Sequence, residues 1–256
     1  MKKRAITTIF IILAIVIVVG VIGYTTLQKS QSEKYFSTQD NQEKIDLIKS
    51  EILSCIELST TLSLSKLGAQ GGFYSNPEHY YAIEQNEFIL SVQEFIPYYY
   101  FNKQSFHPSK RIVQLEFSKI FNEEFSECIS FIESDSIEIS SSSPETQLKI
   151  SEDKITISVS PNVAISSNGN SLTLTDLQTI TRNSALDDII TLYSDMTKTK
   201  VETEGFNCIS CMEEFVIANN LYIDASNLDK DLTIFRIYEN YTTEEQSWIF
   251  INQEVI

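Results

Sequence analysis

Residues 145–174 read ETQLKISEDKITISVSPNVAISSNGNSLTL, and their period decides the fold. Leu148 and Ile150, then Ile155, Ile157 and Val159, recur every second residue, which gives an extended chain one apolar face. Glu152-Asp153 separates the two runs, and Pro161 ends the second. Val163 and Ile165 then lead through Asn168-Gly169, a favoured hairpin dipeptide, into Leu172 and Leu174. Just upstream, Ile137 and Ile139 alternate with polar residues from Ser134 on. The spacing predicts β-hairpins over 134–175.

On the N-terminal side the period is helical. Ile45, Ile48, Ile52, Cys55, Ser59 and Leu62 step by threes and fours, one stripe with a single polar break. Asp40 or Asn41 supplies a cap at its start and Gly68 a stop. A second stripe, Val113, Phe117, Phe121, Phe125, Cys128 and Ile132, predicts a helix from about Ser109 to Ile132. Between the two lies an aromatic-rich stretch holding Tyr80, Tyr81, Tyr98, Tyr99, Tyr100 and Phe101, read as a loop because Pro97 and Pro108 forbid one continuous helix. On the C-terminal side, Asp176 caps a predicted third helix reaching Lys198, with Leu177, Ile180, Leu186, Ile189, Ile190 and Tyr193 on its apolar side. The end mixes a short helix near 208–218 with strands near 221–223, 232–238 and 248–251. Helices, hairpins, a helix and strands in that order make an α+β chain.

The N-terminus places the rest. Residues 5–23, AITTIFIILAIVIVVGVIG, follow Lys2-Lys3-Arg4, and with Thr25–Leu27 they give a little over 20 residues without a charge, the length a bilayer requires. The preceding basic residues hold that end in the cytoplasm. The sequence therefore divides into a basic start and transmembrane anchor over 1–27, a stalk over 28–42, and an extracytoplasmic part over 43–256: helical to 133, hairpins to 175, a helix over 176–200, and a mixed end over 201–256. The lipid bilayer is the partner of residues 6–27. A cleaved signal peptide is disfavoured because the apolar run is long and Val21-Ile22-Gly23 is a poor cleavage site. A pilin-type leader cut after Ala5 is a further alternative; Phe10 then stands where pilins usually carry Glu.

Charge and composition exclude more than they specify. The chain of 29.2 kDa carries a net −16, and without Lys2, Lys3 and Arg4 the remainder carries −19. Nucleic acid needs clustered cations and is not an expected partner; the acidic part suits cations or a basic protein. The four cysteines, Cys55, Cys128, Cys208 and Cys211, are an even set that suits two disulfides outside the cytoplasm. Three pairings exist. Cys55 and Cys128 each sit on the apolar stripe of a helix, and helices packed face to face bring them together, leaving Cys208 with Cys211.

No catalytic set, metal site or cofactor is expected. Cys208-Ile209-Ser210-Cys211 has redox and zinc spacing, but Glu213 and Glu214 disfavour a thiolate and no second ligand pair exists. The only histidines are His79 and His107, and they stand apart. The acidic pairs 123–124, 187–188, 213–214 and 244–245 read as solvated helix faces. Asn240-Tyr241-Thr242 is a glycosylation sequon. The Tyr80, Tyr81 and Tyr98–Phe101 cluster is a candidate surface for a protein or glycan, though a packed loop is the plainer reading.

These residues carry a resemblance. The basic start running into Ile-Thr-Thr-Ile-Phe-Ile-Ile, Ser54-Cys55-Ile56, Gly68-Ala69-Gln70-Gly71-Gly72-Phe73-Tyr74, Ile96-Pro97-Tyr98-Tyr99-Tyr100 and Cys128 resemble a group of membrane-anchored surface proteins of small-genome (DPANN-type) archaea. The resemblance is strongest over 1–132. It implies a single-pass α+β surface protein and supplies no catalytic residue. Many members read Lys-Arg-Gly-Gln before the span, where this chain has Lys3-Arg4-Ala5-Ile6. The expected function is a membrane-anchored structural or interaction protein, alone or as a homo-oligomer. The alternatives are a pilin-like subunit and a thiol oxidoreductase using Cys208 and Cys211.

Overall fold

A computed structural model describes residues 44–83, 95–132, 138–167, 170–203, 209–239 and 247–253. The expected anchor, the stalk, the cap at Asp40 or Asn41, the Asn168-Gly169 turn, Cys208 and Asn240 lie outside these residues. So do Glu244-Glu245 and the side chain of Cys211. No described helix is long and apolar enough to cross a membrane.

The chain divides by its contacts into Met1–Glu51 and Ile52–Ile256. Of the first unit, residues 44–51 are described, and they are helical. The second unit is α+β. Among the described residues the whole chain has four helices and three sheets.

Helix α1 occupies 44–69. Within the second unit its buried face is Ile52, Cys55, Ile56, Ser59, Thr60, Ser63, Leu64 and Leu67. Leu62, expected on that face, is instead exposed, because the helix advances about 100° per residue and the stripe drifts to Ser63 and Leu64. The helix also runs through Gly68, its expected stop. It closes in a paired C-terminal turn: Gly72 N–H donates to the Leu67 carbonyl at 2.7 Å and Gly71 N–H to the Gly68 carbonyl at 3.0 Å. Gly71 takes the left-handed φ of 55° that this cap demands.

Helix α2, Lys110–Ser130, starts where Ser109 caps it and buries Val113, Phe117, Ile120, Phe121, Phe125 and Ile129. It packs against strand β5 of a three-stranded sheet, β5-β6-β9, and the Ser118 hydroxyl donates to the Thr146 carbonyl at 3.0 Å. β5 (Glu145–Ser151) and β6 (Lys154–Ser160) form the first predicted hairpin, Ser151 pairing with Lys154 across Glu152-Asp153. β4 (Glu138–Ser141), β7 (Val163–Ser167) and β8 (Asn170–Leu174) form another sheet, in the order β4-β7-β8.

The expected helix over 176–200 is shortened. Gln178–Asn183 is strand β9, paired with the outer edge of β6, and helix α3 begins only at Leu186 and runs to Glu202. The β-branched run Thr179-Ile180-Thr181 suits a strand, and its long-range partner is invisible to a local period.

The largest correction concerns the aromatic stretch. It is not a loop: Tyr80–Ala82 is β1, Phe95–Phe101 is β2 and Gln104–Ser105 is β3. β2 lies inside a six-stranded sheet with the path β1-β2-β12-β11-β10, and β3 hangs from β2. β10 (Leu221–Asp229), β11 (Leu232–Glu239) and β12 (Ser247–Gln253) match the predicted C-terminal strands. β12 pairs antiparallel with β11 and parallel with β2. Helix α3 packs against β2, and α4 (Ile209–Ala218) against β10.

Candidate functional site

The sheet alternates its residues between two faces. On one face Ile96, Ile234, Ile249 and Ile251 form an apolar cluster, with Tyr81 and Tyr98 packed against it. On the other, Tyr99 of β2 and Phe250 of β12 stack at 4.3 Å and 6°. Tyr193 of α3 meets Tyr99 edge-on at 4.8 Å and lies 6.0 Å from Trp248.

The hydroxyls of this layer are committed to the backbone. Tyr99 donates to the Gly71 carbonyl at 2.7 Å and accepts from the Trp248 indole N–H at 2.7 Å. Tyr193 donates to the Pro108 carbonyl at 2.8 Å. Burial raises both phenols above the ordinary range; for Tyr99 the Tyr193 ring adds to this and the Trp248 hydrogen bond opposes it. His107, 5.3 Å from Tyr193, is pushed the other way: burial lowers its pKa against a weaker raising contact with the Pro108 carbonyl. Phenols raised in this way stay protonated near pH 7 and serve the core as fixed hydrogen-bond donors.

Of the six aromatic residues read as a partner surface, Tyr99 and Tyr100 are therefore corrected to the core, at 0% exposure. Tyr80 is exposed, and Tyr81, Tyr98 and Phe101 are half-buried. A file of rings remains near water: Tyr98 to Phe101 at 5.1 Å, Phe101 to His79 at 4.9 Å, and His79 to Phe106 at 4.4 Å. No sequence signal marks His79 and Phe106 as members of it, since their approach depends on strand pairing.

The disulfide Cys55–Cys128 joins α1 and α2 with Cα atoms 5.7 Å apart. Each acidic pair among the described residues has its own setting. Glu123 and Glu124 both face Lys66, at 3.7 and 3.6 Å. Asp187 pairs with Lys110. Glu213 and Glu214 are exposed. Among the described residues no group of three or more His, Cys, Asp or Glu is arranged to hold a metal.

One small cleft is built by residues from distant parts of the chain. Leu64, Leu67, Gly68, Ser184, Leu186, Ile189, Glu239, Ser247 and Trp248 line about 20 Å³. That is room for about one water molecule. Its polar floor is Glu239, which accepts from the Ser184 hydroxyl at 2.7 Å. Ser184 in turn accepts from Leu186 N–H at 3.2 Å, at the start of α3. Ser184 thus caps the start of α3 and Glu239 of β11 supports it, since Ala185 provides no side-chain cap of its own. Burial raises the Glu239 carboxyl above the ordinary range, the hydrogen bonds from Ser184 and Ala185 oppose this, and Asp188 adds to it.

No protein-family model matches the chain, and no curated protein and no solved structure matches it.

Proposed function

We propose that the chain is a single-pass membrane protein whose acidic α+β part stands outside the cytoplasm and acts by binding or by building a surface structure, not by catalysis. The observation that carries the reading is the Cys55–Cys128 bridge between α1 and α2. Disulfides of this structural kind persist in oxidising compartments. The uncharged run ending at Leu27, behind Lys2-Lys3-Arg4, supplies the matching anchor. The likeness to archaeal surface proteins points the same way. Tyr80, Tyr81, Tyr98 and Phe101 are the rings available to a protein or glycan partner. External protease on intact cells tests it. Digestion should remove the chain beyond residue 42 and leave a short N-terminal fragment in membranes washed with alkaline carbonate. A chain protected in intact cells, or washed off the membrane, overturns the reading.

A second reading has its own observation. Helix α1, which follows the apolar stretch in sequence, exposes Leu53, Leu58 and Leu62 at 38%, 51% and 43%. Exposed leucines on a helix that continues from the apolar stretch suit a pilin-like subunit that assembles through its N-terminal helix. A mature N-terminus at Ile6 supports this reading, and an intact Met1 or Lys2 ends it.

A further inference from the structure

The path of the six-stranded sheet ends at β10, Leu221–Asp229, and among the described residues nothing pairs with the outer edge of that strand. An open strand edge presents a row of unpaired backbone N–H and C=O groups, and proteins ordinarily shorten it, charge it with lysine or interrupt it with proline. β10 has nine residues with neither lysine nor proline among them, and its bulge lies towards its end, between Asn227 and Asp229. The opposite end of the sheet is protected by brevity, since β1 has three residues. The β10 edge is also open to water. Ala225, Ser226 and Asn227 are exposed in succession, Tyr222 is 64% exposed, and Ile217, just before the strand, is 73% exposed.

The side chains of β10 suit a second copy of the same strand. Facing residues of an antiparallel pair must share the direction of their backbone groups, so a strand pairs with itself only about a two-fold axis that passes through a residue. An axis at Asp224 sets two carboxylates opposite each other. An axis at Ser226 sets Asp224 against Leu228. An axis at Ala225 removes both conflicts, brings two small side chains together at the centre and overlaps all nine residues. Asp224 is then opposite Ser226 of the partner subunit, whose hydroxyl can donate to the carboxylate. Tyr222 is opposite Leu228 of the partner subunit, an aromatic–aliphatic pair that takes an exposed ring out of water. Both belong to one face: Ser226 is the register partner of Ile234 in the isoleucine cluster, Tyr222 lies four residues from Ser226, and Leu228 packs on that cluster. No acid opposes another, and Arg236 at 3.4 Å already offsets the charge of Asp224.

We propose that β10 is a homodimer interface, in which two copies of the chain pair their β10 edges antiparallel about a two-fold axis at Ala225. The two sheets become one. The pairing occupies the open β10 edge of each copy, so the assembly closes as a dimer instead of growing into a fibre. The inference does not rest on the membrane reading, because the edge is the same on either side of a bilayer.

The test uses the full-length protein in detergent. Light scattering should give the protein mass of a dimer. Ala225→Lys places two ammonium groups on the axis and is expected to weaken dimerisation about tenfold or more. Ala225→Cys places two thiols there, where facing Cα atoms lie about 4.5–5.5 Å apart, within disulfide reach. Mild oxidation should turn this variant into a covalent dimer whose bridged peptide joins two copies of residue 225. Tyr222→Cys, whose two thiols would stand about 20 Å apart along the pair, should stay unlinked. A monomeric wild-type protein overturns the proposal. So does a dimer that ignores Ala225→Lys, or one that links at residue 222 as readily as at 225. The wild-type mass needs no variant, so the proposal stays falsifiable even where a substitution prevents folding.

Discussion

Trp248 and Tyr99 meet in the core through a 2.7 Å hydrogen bond, the indole N–H donating to the phenol oxygen. The same phenol donates to the Gly71 carbonyl. One hydroxyl therefore joins β12, β2 and the turn that closes α1. These three segments lie far apart in sequence, and among the described residues the Tyr99 oxygen is the acceptor of the indole N–H. Tyr99→Phe keeps the ring stacked on Phe250 but leaves a buried donor and a buried acceptor unmet. The expected loss is about 2–4 kcal/mol of unfolding free energy with the fold retained. Urea titration followed by tryptophan fluorescence checks it; a midpoint unchanged from wild type would show that the hydroxyl holds nothing together.

Much of this architecture is legible from local pattern. The Val113–Phe125 stripe, the Ile155–Val159 alternation and the turn at Glu152-Asp153 each declare a period within about ten residues. Phe95–Phe101 does not. It is a strand buried on both faces, so it reads as an unbroken aromatic run with no alternation. Pro97 further argues against a central strand, yet it sits beside the short edge strand β1, where a missing N–H is tolerated. Its parallel partner β12 is at the far end of the chain, and no local signal announces such a pairing. The same holds for Ser184 and Glu239, which become a cap and its support only after β9, α3 and β11 are assembled. Leu177 and Ile180 mislead in the opposite sense: their spacing fits the helix that starts at Leu186, but Ile180 faces Ile157 across a sheet.

The Cys55–Cys128 bridge closes a span of 73 residues. Chain-entropy reasoning assigns such a loop about 4 kcal/mol of stabilisation through the unfolded state. Replacing both cysteines by serine is expected to lower unfolding free energy by about 2–5 kcal/mol. Adding a reductant should reproduce the loss in the wild type and move the variant far less, since only the short Cys208-to-Cys211 loop is then left to open. An equal response of both proteins to reductant would assign the effect to another thiol.

Stability should respond to pH through Glu239 and Asp188. Burial raises both carboxyls; for Asp188 the neighbouring Asp187, Asp153 and Glu152 add to it. A raised carboxyl binds its proton more tightly folded than unfolded. Its contribution is therefore complete below the ordinary carboxyl range, near about pH 4, and is lost as pH rises through the raised values. Glu239→Gln keeps an acceptor for Ser184 and removes the charge. It is expected to be more stable than wild type at pH 7, with the gap closing towards pH 4. Urea midpoints for both proteins across that range check the sign; a gap that widens on acidification would contradict it.

Gly71 combines two constraints that a substitution can separate. Its φ of 55° is left-handed, and a Cβ there would lie 2.5 Å from the Ile249 carbonyl oxygen and 2.6 Å from Cγ of Pro97. The dihedral alone costs an L-residue about 1–2 kcal/mol. The clash adds to it, because one neighbour is backbone in β12 and the other a rigid ring in β2. Gly71→Ala is therefore expected to lose about 2–4 kcal/mol. Asparagine tolerates the left-handed region well but carries the same Cβ. Gly71→Asn should recover the dihedral share and no more. If Asn restored wild-type stability in urea unfolding, the close approach of the turn to β12 would carry no energetic weight, and the dihedral would account for the whole demand for glycine.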